Sequence, residues 1–114
     1  MSRRIMILPA VLAGVLQLGS AAAQQPSVTI EAPADGATVD AMEQTRLVYE
    51  VVPRPGGDHV HVYVDGKEVG ILRSLKGEYT LETLQPGPRE ICIKVVNKAH
   101  VPIGLQRCIQ VTVD

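Results

Sequence analysis

The sequence predicts an all-β chain, an immunoglobulin-like two-sheet antiparallel sandwich of about seven strands. Three observations lead there. Short alternating runs follow one another from Val28 to Val113, separated by Gly-, Pro- and Asp-rich turns, and no stretch sustains a helical period. The chain has no Trp, no Phe and three Tyr, so its interior must be built from Val, Ile and Leu, which favours pleated strands. The two cysteines, Cys92 and Cys108, fall in mirror-image positions of a C-terminal hairpin.

The first residues are expected to lie outside this fold. Arg3 and Arg4 precede an apolar run from Ile5 to Leu18, and Ala21-Ala22-Ala23 has the small residues of a cleavage site. Residues 1–23 therefore read as a secretory signal peptide, with Gln24 as the first mature residue and 24–114 as a single sandwich domain. Loss of Arg3 and Arg4 takes Lys plus Arg from 11 to 9 against 12 acidic residues, moving the net charge from −1 to −3. No basic run or aromatic ladder suits nucleic acid, and the only membrane contact expected is through the signal segment. The expected location is periplasmic or secreted.

The elements follow in order. Val28–Ala32 is the first strand, and Pro33-Ala34-Asp35-Gly36 a turn. Thr45–Val52 is the second strand, with Leu47, Tyr49 and Val51 inward. Pro53–Gly57 is a loop. The third strand, His59–Val64, puts Val60, Val62 and Val64 on one face and His59, His61 and Tyr63 on the other. Asp65-Gly66 is a two-residue hairpin turn, since both residues tolerate positive φ. Glu68–Leu72 is the fourth strand and Tyr79–Leu84 the fifth. Pro86-Gly87 suits the centre of a type II turn.

The sixth and seventh strands, Glu90–Val96 and Leu105–Val113, form a hairpin centred on His100, in which paired residue numbers sum to 200. Cys92 then faces Cys108, Ile91 faces Ile109 and Val95 faces Leu105. Ile91, Ile93, Val95, Leu105, Ile109, Val111 and Val113 point to the core, with Arg107 the one misfit. Both cysteines lie on the outer face, where a directly opposed pair has the short Cα separation of a disulfide. An exported chain meets oxidising conditions, so this bond is expected to form.

Two stretches carry a resemblance. Ser27–Val39, SVTIEAPADGATV, looks like the opening of bacterial immunoglobulin-like and fibronectin-type envelope domains. HVHVYVDGKEVG and YTLETLQPGPREICIKVVNKAHVPIG resemble small exported bacterial proteins with a histidine pair before "VDG", an "LxPGxH" turn and a later "aHxP". The resemblance implies the sandwich fold but no defined activity. It also implies a histidine after the Pro-Gly turn, where this chain has Arg89, so one potential metal ligand is missing.

His59 and His61 share a strand face roughly 6–7 Å apart, and the third and sixth strands of such a sandwich are antiparallel neighbours. The loop carrying His100 should therefore reach the end where His59 and His61 begin their strand. Three imidazoles suit copper or zinc, while calcium and magnesium want oxygen donors. Asp58 could add a carboxylate. With no free cysteine and only Met42 as a mature thioether, the site would be nitrogen-based and suit Cu(II) or Zn(II) better than Cu(I). All three positions are expected to be exposed, and the plainer reading is that His59 and His61 are surface residues packed beside a tyrosine and hydrogen-bonded to loop carbonyls, while His100 only shapes its turn.

Catalysis is not expected. The chain has no nucleophile elbow and no phosphate-binding glycine loop. HVH resembles the copper strand of copper–zinc superoxide dismutase, but three histidines cannot supply that two-metal site. A histidine brace needs an N-terminal histidine, and the expected start is Gln24. The sequence thus points to a small exported binding or accessory domain, with copper or zinc as candidate ligand and an envelope protein as candidate partner. The alternative is a structural or protein- or carbohydrate-contacting module without metal.

Overall fold

The computed structural model describes residues 24–114, and the expected signal peptide lies outside them. All regular structure among the described residues is strand: β1 (Ser27–Ala32), β2 (Thr38–Val39), β3 (Thr45–Val52), β4 (His59–Val64), β5 (Lys67–Leu72), β6 (Lys76–Leu81), β7 (Gly87–Val96) and β8 (Pro102–Val113). They form two sheets, ordered β1-β3-β6 and β2-β8-β7-β4-β5. Every pairing is antiparallel except that of β2 with the end of β8.

The inner faces meet in one core. Val28, Leu47, Tyr49, Val51 and Leu81 come from the first sheet, and Val60, Val62, Ile91, Ile93, Val95, Ile109, Val111 and Val113 from the second. Burial of this aliphatic surface drives the fold, at about 25 cal/mol per Å² of apolar area removed from water. Tyr49 is buried with its hydroxyl donating to the Ser74 carbonyl at 2.6 Å, so its polar end is satisfied.

The expected hairpin register holds from Gly87↔Val113 to Lys94↔Gln106, with Cys92 opposite Cys108 and their Cα atoms 4.0 Å apart in a disulfide. Arg107 is the residue out of pattern, and its guanidinium explains the tolerance. Its Nε donates to the Val28 carbonyl at 3.2 Å, tying β8 to β1 in the other sheet. Asp65 and Gly66 both have positive φ, as the two-residue turn requires.

The expected count of about seven strands becomes eight among the described residues, because Thr38 and Val39 add a short parallel pair with Thr112 and Val113. Three expectations need correction. The strand expected at Tyr79–Leu84 runs instead over Lys76–Leu81, since the ladder with β3 pairs Tyr49 with Gly77 and Glu50 with Lys76. Val95 does not pair with Leu105. The ladder shifts after Lys94, and Val96 lies opposite Pro102. Finally, His59 and His61 are not exposed: only 1% and 2% of their surfaces are accessible.

Candidate metal centre

His59 and His61 stand on the outer face of β4, because Val60 and Val62, which alternate with them, are committed to the core. β7 flanks them on one side, with His59 opposite Val96 and His61 opposite Lys94. On the other side β5 places Ile71 opposite His61. The third histidine arrives from the β7–β8 loop. There Asn97 acts as an organiser: its side-chain carbonyl accepts from the backbone N–H of Ala99 and Val101 at 2.9 and 3.1 Å, and its backbone carbonyl accepts from His100 N–H at 2.9 Å. This wrap holds His100 in the left-handed region, at φ 64°, which is uncommon for a non-glycine residue.

The outcome is a triangle of ring nitrogens. His59 Nε2 and His61 Nε2 are 3.1 Å apart, His59 Nε2 and His100 Nδ1 3.1 Å, and His61 Nε2 and His100 Nδ1 3.0 Å. Hydrogen bonds cannot satisfy all three. One N–H can serve both neighbours, but those two then face each other as lone pairs. Three nitrogens bound tetrahedrally at the usual zinc–imidazole distance lie roughly 3.3–3.4 Å apart. The triangle therefore needs to open by only a few tenths of an ångström to hold an ion.

The ring atoms behind the triangle are arranged to match. His59 Nδ1 is 2.9 Å from Asp58 Oδ2; the carboxylate can only accept, so Nδ1 donates and, in the neutral ring, Nε2 is left as a lone pair. His61 Nδ1 is 3.5 Å from Glu68 Oε2 and is a buried polar atom with no hydrogen-bond partner. A carboxylate behind a ligating histidine fixes its tautomer and raises its basicity. Burial holds the His61 pKa below the ordinary imidazole value; Glu68 opposes this, while His59, His100 and Arg73 add to it. The neutral, metal-binding form of His61 is favoured.

All three sequence-derived candidates thus meet. Tyr63 lies further along the face, its ring centroid 6.4 Å from that of His61, and Lys94 Nζ sits 4.5 Å over its ring. Burial and then Glu68 raise the Tyr63 pKa. Arg89, where the resemblance implied a histidine, lies seven residues along β7 from the Val96 end of the site, roughly 23 Å away. There it binds the carbonyls of Gln85 and Pro86 and the carboxylate of Asp65. A histidine at 89 would not reach the triangle, so its absence removes no ligand from it. A second grouping, Glu90 with Cys92 and Cys108, offers no thiolate because both sulfurs are in the disulfide. The Glu68 and Asn97 roles were not foreseen. Asn97 could have been noticed as a turn-forming residue three positions before His100.

No protein-family model matches the chain, and no curated protein does. Among solved structures it is similar to the fibronectin(III)-like modules of CbhA from Clostridium thermocellum. The TM-score is 0.64 at 19% identity, over 76% of this chain and 96% of that one. It is also similar to part of an FMN-binding β-glucuronidase from Facaelibacterium prausnitzii L2-6. There the TM-score is 0.55 at 21% identity, over 81% of this chain and 12% of that one. At such identities the likeness is one of fold: the domain is a fibronectin(III)-like sandwich.

Proposed function

We propose that the chain is an exported envelope domain that acts by binding rather than by catalysis, and that it binds one Cu(II) or Zn(II) ion through His59, His61 and His100. The observation that carries this reading is the triangle of nitrogens 3.0–3.1 Å apart, two of them on buried rings. The donor set is all imidazole, which suits both ions, and copper is the first choice for an envelope protein. Cu(I) is disfavoured because the cysteines are bonded and the clustered donors are imidazole nitrogens rather than sulfur. Export rests on the segment 1–23 and agrees with a disulfide-bonded domain.

A carbohydrate-contacting module fits less well, because such a site wants an exposed aromatic platform. Tyr49 is buried, the Tyr79 hydroxyl donates to the Val69 carbonyl, and the Tyr63 ring carries the Lys94 ammonium. Calorimetric titration of the exported protein with Cu(II) and with Zn(II) tests the proposal. One ion per chain is expected, with uptake lost or strongly weakened in His59→Ala, His61→Ala and His100→Ala. Absence of uptake, or uptake indifferent to His100→Ala, would leave a purely structural module.

A further inference from the structure

We infer that the metal centre is an open one, holding its ion by three protein nitrogens and keeping a position for a small exogenous donor, either neutral or monoanionic. This rests on the metal reading above and goes beyond it in naming what the bound ion can take up.

The geometry of the triangle carries the inference. An ion lying in the plane of three nitrogens at the usual imidazole distance of about 2.0–2.1 Å needs them roughly 3.5 Å apart. These are 3.0–3.1 Å apart. An ion at normal bond length must then sit roughly 0.7–1 Å out of their plane, capping one side of the triangle. All three protein bonds lie in one hemisphere, and the opposite one is left to other donors. Among the described residues, no fourth His, Cys, Asp or Glu ligand atom lies within 4.8 Å of all three nitrogens. Asp58 Oδ2 is engaged behind the His59 ring, and Glu68 Oε2 faces the rear nitrogen of His61.

Access and charge define the donor. His59 and His61 are buried, whereas His100 is exposed, so the triangle meets solvent on the His100 side. A divalent ion among three neutral imidazoles keeps its full charge. Asp58 and Glu68 stand behind the rings, and Arg73, 3.9 Å from Asp58 Oδ2, adds a positive charge. Carboxylates that back the ligands temper the ion without occupying its open side. Such a centre suits a small donor such as water, hydroxide, azide or a single imidazole. A three-ligand site with an exchangeable position is the arrangement of open metal sites, while structural zinc sites close with four protein ligands.

The test begins with the exported protein loaded with one equivalent of Cu(II), its stoichiometry fixed by titration. Azide is then added while the absorption and electron paramagnetic resonance spectra are followed. The expected result is a new azide-to-copper band that saturates at one azide per copper, with a matching shift in the resonance spectrum, on a protein that sediments as a monomer. Copper bound at one per chain with spectra indifferent to azide would overturn the inference while leaving the metal reading standing. Two chains sedimenting per copper would overturn it too, because the fourth donor would then come from a second copy. Failure to bind copper or zinc at all would overturn the metal reading itself, and this inference with it.

Discussion

Removal of the Asp58 carboxylate isolates what lies behind the ligands. Its Oδ2 accepts from His59 Nδ1 at 2.9 Å and is the group that leaves His59 Nε2 as a free donor to metal. Asp58→Ala removes that acceptor but leaves the strand anchored, because the Asp58 backbone N–H still donates to the Val96 carbonyl at 2.9 Å. Loss of such a partner typically weakens metal binding about 10–100-fold, or about 1.4–2.7 kcal/mol. Glu68 makes a useful contrast: at 3.5 Å from His61 Nδ1 and about half exposed, Glu68→Ala should cost only roughly two- to fivefold. Calorimetry gives the affinities directly. Thermal melts at free metal near one hundred times the wild-type Kd supply a second reading. The wild-type gain there is about 2.7 kcal/mol, or roughly 10–20 °C, and a variant weakened a hundredfold keeps only about 0.4 kcal/mol. Equal affinity in wild type and Asp58→Ala, or a larger loss in Glu68→Ala, would refute the assignment of Asp58 as the group that orients His59.

Asn97→Ala should weaken metal uptake without unfolding the sandwich, since the turn that holds His100 loses two acceptor bonds, while Asn97→Asp, which keeps the acceptor, should largely restore it. Reduction of Cys92–Cys108 opens a loop of sequence separation 16, for which chain entropy gives about 3 kcal/mol; urea denaturation with and without reductant checks this, and a loss under about 1 kcal/mol would count against it. The metal-free protein should lose stability as pH falls: the folded His61 pKa lies below its unfolded value of about 6.5, so its contribution is complete above that pH and fades as pH drops through the folded value. Urea midpoints measured from about pH 7 down to about 5 should show the decline, and His61→Leu should remove the part that His61 supplies.

The hairpin was legible because period-two alternation and the cysteine pair point to the same register, and eight residue pairs obey it. The meeting of the three histidines was legible as topology: antiparallel neighbours bring the start of β4 beside the end of β7. The burial of His59 and His61 was not. Alternation says that they point away from the valines, but not that β5, β7 and the His100 loop enclose that outer face. β2 was hidden because two residues carry no period, and its pairing depends on where β8 ends. The β6 boundary was misplaced because its start is set by pairing with β3 rather than by its own alternation, and Gly77 adds no side chain to a period. Gly77 pairs with Tyr49, and the ion pairs Lys76–Glu50 and Arg46–Glu78 flank the pairing.

The register break near the end of the hairpin is what couples fold to site. An unbroken ladder would continue through Val95–Leu105 and Val96–Gly104, leaving His100 at the tip of a hairpin that runs on past the sheet. Instead Val96 lies opposite Pro102, so β8 places Ile103, Gly104 and Leu105 where β7 has only Val95. Gly104 takes φ 86°, a left-handed value that glycine accepts without the cost a side chain would bring. The extra residues form a bulge, which bends a strand and strengthens its twist. The shortened loop is closed by the Asn97 N–H on the Val101 carbonyl, so His100 is carried on a tight five-residue connection beside Val96, the partner of His59. The same bulge that costs the hairpin its regular pairing thus sets the third imidazole 3.0–3.1 Å from the other two. The spacing of the histidines along the chain carries no trace of this, because it is a property of the register.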